Sequence, residues 1–215
     1  TPLTHVKGYL ELLVTESLGA ISTEQRHALQ VTQRAAAKLE SIIEDLIMFS
    51  LASRGEMSMR LDKVDIRRLV SLAVKSSLPK AEERGVQVLA AIPDSIPFVQ
   101  ADSEKLGWVL SQILDNGIKF TPSGGSVVVK LKEEGRSLVQ VSITDTGIGI
   151  PPNRLREIFE PFHQLDGSPT RHYGGTGLGL SLVRQIIEAH GSLLDAQSVE
   201  GKGSTFKFPL LAVRD

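Results

Sequence analysis

Leu138-Val139-Gln140-Val141-Ser142-Ile143-Thr144-Asp145-Thr146-Gly147-Ile148-Gly149-Ile150 opens as an apolar–polar alternation and ends on a carboxylate and two glycines. Alternation with period two marks a strand with one buried face, so Leu138–Thr144 is expected to deliver Asp145 at a strand end. A carboxylate there can accept a hydrogen bond from an exocyclic amine, which distinguishes adenine from guanine. The glycines permit a sharp turn or close approach of a ligand to the backbone. Read alone, the stretch is equally a tight turn opened by an aspartate.

The neighbouring sequence extends this strand into a sheet. Val127–Lys132 alternates in the same way, and Glu134-Gly135-Arg136 joins the two strands as a hairpin. Further strands are expected at Met57–Leu61, Val86–Ile92 and Phe98–Ala101, with a final pair meeting near Glu200-Gly201-Lys202-Gly203. Asp65 is placed to cap a helix from Ile66, Ser103 to cap one through Lys119, and Leu178–His190 reads as a helix stopped by Gly191. Helices mixed with antiparallel strands indicate an α+β sandwich with helices on one sheet face.

The first 53 residues read differently. Leu3, Val6, Leu10 and Leu13 form one helical stripe, and Val31, Ala35, Leu39, Ile42, Leu46 and Phe49 a second. Between them Leu18-Gly19-Ala20-Ile21 breaks the pattern, and Ser22-Thr23-Glu24-Gln25 has the form of a capping box. Two such helices make an antiparallel hairpin whose broad apolar face is expected to pair with a second copy as a four-helix bundle, or else to pack on the rest of the chain. The boundary falls at Arg54-Gly55-Glu56, giving domains 1–53 and 57–215. A net charge of -1 asks for no nucleic-acid or membrane partner, and the absence of cysteine excludes disulfides and thiolate metal sites and fits a cytoplasmic setting.

Two further segments carry chemistry. In Asp115-Asn116-Gly117-Ile118-Lys119-Phe120-Thr121-Pro122, Asn116 offers a neutral oxygen suited to Mg²⁺, and Lys119 on the same helix face offers charge to a phosphate. By itself this is also an ordinary helix end. Tyr173-Gly174-Gly175-Thr176-Gly177-Leu178-Gly179-Leu180 runs into a helix whose N-terminal N–H groups make a phosphate site. It lacks dinucleotide-fingerprint spacing, and Gly201-Lys202-Gly203-Ser204 lacks the opening glycine of a P-loop, since Ala196 stands there. The Pro- and Gly-rich segment between the glycine loops, anchored by Phe159 and Phe162, is expected to form a lid.

The order of these motifs (Asn116 helix, Asp-x-Gly-x-Gly, Phe159-Glu160-Pro161-Phe162, Gly175-Thr176-Gly177-Leu178-Gly179) resembles the N, G1, F and G2 boxes of sensor histidine kinases. Their ATPase domain has the GHKL (Bergerat) fold, shared with gyrase B, the Hsp90 chaperones and MutL. The opening Thr1-Pro2-Leu3-Thr4-His5 is similar to the segment just after the phosphoacceptor histidine in these kinases, and the relatives lack such a hairpin. The resemblance implies ATP and Mg²⁺ as cofactors, a homodimer, and a response-regulator receiver domain as partner. Membrane attachment would come only through segments outside this chain.

By the same resemblance, Asn116 would hold the metal, Lys119 would assist at the phosphates, Gln112 would reach the metal or a phosphate, and Asp145 would bind the adenine amine. Gly147 and Gly149 would shape the pocket, Phe120, Ile148 and Tyr173 would also bind the nucleotide, and Phe159 and Phe162 would anchor the lid, with Arg171 near its far end. Gly175, Thr176, Gly177, Leu178 and Gly179 would wrap the phosphates, and Gly203, Ser204 and Thr205 would close the far side. Thr1 would take the place of a threonine that assists dephosphorylation of the regulator. Two departures stand out: Gln112 where the family commonly has Asn, and Gly117 where it has Ala. The phosphoacceptor histidine is expected before residue 1, and His5, His27, His163, His172 and His190 lack its context, so the 215 residues are expected to bind ATP without autophosphorylating. A degenerate module that dimerises and docks without turnover is the competing reading.

Overall fold

The computed structural model describes residues 2–163 and 176–214. The chain divides into two compact units, Thr1–Leu51 and Ala52–Asp215. In the first, α1 (Pro2–Val14) and the greater part of α2 (Thr23–Ser53) form the hairpin. The capping box at its second helix is formed: Ser22 N donates to Gln25 Oε1 at 2.7 Å and Gln25 N to Ser22 Oγ at 3.2 Å. Lys7 and Glu40 tie the helices together with an ion pair of 2.5 Å. Of the apolar side chains on these helices only Leu10 and Ala36 are buried, while Val6, Tyr9, Val31, Leu39 and Leu46 are exposed. No helix among the described residues is long and apolar enough to cross a membrane.

Among its described residues, the second unit is built on a seven-stranded sheet. Its strands are β1 (Asp62–Val64), β2 (Gln87–Ala91), β3 (Phe98–Ala101), β4 (Ser126–Glu134), β5 (Leu138–Asp145), β6 (Asp195–Val199) and β7 (Gly203–Val213). The order is β1-β3-β7-β5-β4-β2, with β6 also paired to β7. Among the described residues, three helices accompany the sheet: α3 (Ile66–Arg84), α4 (Ser103–Phe120) and α5 (Gly179–Ala189). The alternation decides the layers. Val127, Val129, Leu131, Val139, Val141, Ile143, Phe206, Phe208 and Leu210 are buried on the inner face against helix residues such as Leu110, Ile113, Leu114, Leu182 and Ile186. Their outward neighbours, Lys130, Lys132 and Thr144, are exposed. Each large aliphatic side chain so buried contributes about 1.5–3 kcal/mol. The expected α+β sandwich is therefore present.

Three details depart from expectation. β2 pairs with β4 in parallel. Met57–Leu61 forms no strand, because Arg60 N donates to the Asp102 carboxylate at 3.0 Å instead of to a strand partner. The cap of α4 is Asp102, one residue before Ser103: its Oδ1 accepts from Lys105 N at 3.1 Å and its Oδ2 from Lys105 Nζ at 2.8 Å. Burial opposes ionisation of Asp102, but the bonds from Lys105 and Arg60 outweigh it and bring its carboxyl down to about 2. A depressed carboxyl stabilises the fold above its ordinary pKa, and that contribution fades as pH falls from about 4 through about 2. Asp102→Ala removes the cap and is expected to cost roughly 1–2 kcal/mol, read as a lower Tm at pH 7 and a smaller difference at pH 2.

Pro209 sits within β7 without breaking the sheet. β6 pairs with β7 at 203–207 and β3 at 212–213, so the edge facing them is open around Pro209. Its carbonyl accepts from Ser192 Oγ at 2.6 Å. N and C=O of a strand residue point to the same side, so the missing N–H falls in this gap.

Candidate nucleotide-binding site

Four chain segments meet at one end of the sandwich: the C-terminal half of α4, the turn after β5, the start of β7 and the start of α5. Asp145 ends β5 and is only 8% exposed. Its Oδ1 accepts from Gly147 N at 2.8 Å and Ser204 N at 3.2 Å, while Oδ2 has no partner among the described residues. Burial raises the Asp145 carboxyl above its ordinary value, and the backbone bonds only partly offset that. A buried acceptor with one oxygen uncommitted suits an N–H donor from a ligand.

The turn after β5 is clamped on both sides. Ile148 N donates to Phe120 O at the end of α4, at 3.2 Å, and Gly201 N donates to Ile148 O at 2.7 Å. Ile150 N donates to Ser198 Oγ at 2.8 Å. Gly147 has no room for a side chain, since a Cβ would lie 2.7 Å from both Asp145 Oδ1 and Phe120 O. Ile148 is half exposed beside it, an apolar surface at the mouth of the turn.

Gln112, Asn116 and Lys119 succeed one another along a single face of α4. The carboxamide of Asn116 makes no hydrogen bond among the described residues. A methyl at Gly179 would stand 3.0 Å from Gln112 Oε1, so α5 begins against Gln112. Lys119 Nζ lies 4.7 Å from the centre of the Phe120 ring. Arg84 Nη1 donates to Lys119 O at 3.0 Å and fixes the last turn of α4 from outside. At the start of α5, Leu178 N donates to Thr176 Oγ1 at 3.2 Å, and the first amides of the helix have no intrahelical acceptor.

After Gly149 come two short 3₁₀ turns, Pro152–Arg154 and Glu157–Phe159. Ile158 is their buried residue, and Phe159 lies 5.8 Å from the Arg184 guanidinium. Phe162 differs from the anchor expected of it: it is 64% exposed and holds a positive φ of 62°. Its N–H donates to Gly177 O at 3.0 Å, which joins the end of this segment to the second glycine loop. Glu157 accepts from Arg154 and His163, and the Arg154 bond is the main reason its carboxyl is lowered.

Thr205 also differs. Neighbouring strand residues face opposite sides, and Thr205 Oγ1 meets Thr144 Oγ1 at 3.0 Å on the face away from Asp145. Ser204 is the residue directed at Asp145. Thr1, Arg171, Tyr173 and Gly175 lie outside the described residues. Asn116, Gln112, Lys119, Phe120, Asp145, Gly147, Ile148, Gly149 and the run Thr176, Gly177, Leu178, Gly179 all belong to the four segments. Arg84 and Ile158 escape sequence reading: one is a surface arginine, the other one aliphatic among many.

A sandwich with a carboxylate ending an inner strand, glycine turns and a helix N-terminus at one end defines an ATPase-type nucleotide module. Residues 101–214 match the model of the histidine kinase-, DNA gyrase B- and HSP90-like ATPase family, and residues 1–55 that of the His kinase A phospho-acceptor domain. The chain thus belongs to that ATPase family and is the core of a two-component sensor histidine kinase. It is 33% identical to sensor histidine kinase WalK of Bacillus subtilis over 98% of this chain and 34% of that protein. It is 34% identical to the circadian input-output histidine kinase CikA of Synechococcus elongatus over 96% of this chain and 28% of that one. The chain spans about a third of the length of these relatives. Full-length ShkA in complex with AMPPNP superposes with a TM-score of 0.84 at 28% identity, over 99% of this chain and 44% of that one.

Proposed function

We propose that this chain binds Mg·ATP between α4, the turn after β5 and the start of α5, and that it transfers the γ-phosphoryl group to a histidine nitrogen. The phosphoryl group then passes to a receiver-domain aspartate of a response regulator. The observation that carries this reading is Asp145: buried, raised in pKa by that burial, and holding Oδ2 uncommitted beside a glycine that admits no side chain. Oδ2 accepts from the adenine amine, and Ile148 lies against the base. The open amides of α5 receive the phosphates. Asn116 Oδ1 serves as a neutral ligand to Mg²⁺, which neutralises phosphate charge when bound. In phosphoryl transfer the protein's work is positioning and charge neutralisation, and these groups do that. That ShkA, a similar structure, is in complex with AMPPNP supports nucleotide binding by this chain.

The hairpin unit pairs with a second copy as a four-helix bundle. Val6, Val31, Leu39 and Leu46 leave an apolar face that one copy does not bury. The domains are then 1–53 for dimerisation and docking of the regulator and 57–215 for ATP, and the core works in the cytosol. Whether it also dephosphorylates the regulator turns on Thr1.

None of the five histidines is the acceptor in this reading. Both nitrogens of His190 are engaged, Nε2 accepting from Asp102 N at 3.0 Å and Nδ1 meeting Ile186 O at 2.8 Å. His163 is held by Glu157 at 3.1 Å. The 215-residue chain incubated with labelled ATP and Mg²⁺ is therefore expected to bind nucleotide yet gain no acid-labile label. Label appearing on any of the five histidines overturns that assignment, and failure to bind ATP overturns the site.

A further inference from the structure

β2 lies at the end of the sheet and pairs only with β4. Among the described residues, its other edge presents backbone N–H and C=O groups to no strand. Sheet edges are normally blunted with charge or proline. Here Val86-Gln87-Val88-Leu89-Ala90-Ala91-Ile92 carries neither, and Leu89 is 52% exposed.

Just past the end of β2, a cleft of about 560 Å³ is lined by Ile92 and, at the start of α3, by Asp65, Arg67, Arg68 and Ser71. Its lining carries two arginines and one aspartate. Asp65 Oδ1 is committed to the cap, accepting from Arg68 N at 3.1 Å. Arg67 Nη1 donates to a neutral carbonyl, Asp94 O, at 2.5 Å. The Arg68 guanidinium has no hydrogen bond or ion pair among the described residues. Farther along α3, Leu78 is 45% exposed. The nucleotide site is at the other end of α3, where Gly85 lies against Ser123 beyond α4.

We propose that the free edge of β2 and this cleft together dock an extended acidic peptide segment of a partner protein. Main-chain bonds to an open edge supply affinity and flanking pockets supply selectivity. An arginine fork matches a carboxylate in two parallel bonds. The segment adds as a strand beside Val88–Ala91 and places its carboxylates against Arg67, Arg68 and the Ser71 hydroxyl. This surface does not depend on the nucleotide reading, since none of its residues belongs to that site.

The test uses the full chain and three fluorescent peptides: alternating valine and threonine ending in two aspartates, the same ending in two lysines, and the aspartate peptide N-methylated at alternate amides. The aspartate peptide is expected to bind and to shift the amide resonances of Val88–Ile92. Arg68→Glu is expected to weaken it on the order of tenfold or more, the scale of one lost ionic contact. Lysine and N-methylated peptides should bind at least about tenfold more weakly than the aspartate peptide. ATP affinity and Tm of Arg68→Glu should equal those of the parent chain, which shows that the variant is folded. Equal binding of the N-methylated peptide marks a simple anion cleft and overturns the proposal. So does equal binding of the lysine peptide, or no binding of the aspartate peptide.

Discussion

Asp145→Asn is expected to weaken ATP binding by roughly 10- to 150-fold while leaving Tm unchanged or slightly higher. The asparagine carbonyl can take the place of Oδ1 and keep both backbone donors, Gly147 N and Ser204 N. Its NH₂ then stands where Oδ2 was, facing the adenine amine donor to donor. Losing a hydrogen bond to a charged group removes about 1.5–3 kcal/mol, and each 1.4 kcal/mol is about a factor of ten. Stability moves the other way. A carboxyl whose folded pKa is raised stabilises the fold below its ordinary value, and that contribution is lost as pH rises through the folded pKa. At neutral pH the buried charge of Asp145 is therefore a burden that asparagine removes. Isothermal titration with ATP and with a 6-oxopurine triphosphate checks the claim, because the asparagine NH₂ suits an oxo group and should narrow the preference for ATP. In the parent chain the Asp145 contribution to ATP affinity is expected in full while its carboxyl is ionised. It should decline on acidification before the ordinary carboxylate value of 3.8 is reached, since burial holds Asp145 above it. Unchanged ATP affinity in the variant removes Asp145 from the adenine contact.

Much of this arrangement is legible in the sequence because local signals and tertiary fold agree. Leu138–Thr144 alternates and β5 spans Leu138–Asp145; Asp65 stands just before Ile66 and caps α3 through Arg68 N at 3.1 Å. Where two cap residues stand side by side, as in Asp102-Ser103, Arg60 and Lys105 decide between them, and sequence adjacency does not reveal that. The faces of Ser204 and Thr205 depend on the register of β7 against β5, a long-range property. The parallel pairing of β2 with β4 is non-local in the same way.

Gly117 has a physical reading that family comparison alone lacks. A Cβ there would lie 3.2 Å from both methyls of Val127 and 3.6 Å from Asp145 Cβ. Alanine normally gains up to about 1 kcal/mol over glycine in a helix. Here that gain is opposed by pressing α4 off the strand end that carries Asp145.

Gly203→Ala is expected to lose both stability and nucleotide binding, which separates it from Asp145→Asn. Gly203 opens β7 with φ +113°, a conformation L side chains rarely adopt, and an added Cβ would overlap Asp145 O and lie 3.0 Å from Thr146 Cα. Such backbone strain costs about 1–3 kcal/mol, and forcing a methyl into backbone adds a further ~1–3 kcal/mol. Neither neighbour is a flexible side-chain end, so relief must come from shifting the end of β5 away from the start of β7. That shift stretches the Ser204 N bond to Asp145 Oδ1, now 3.2 Å, and moves the adenine acceptor with it. Thermal unfolding and ATP titration on the same preparation test the coupling: Tm should fall by several degrees, and affinity should fall even at temperatures where the variant is fully folded. A folded variant that binds ATP like the parent would show that the close approach of β7 to Asp145 does not set the adenine contact.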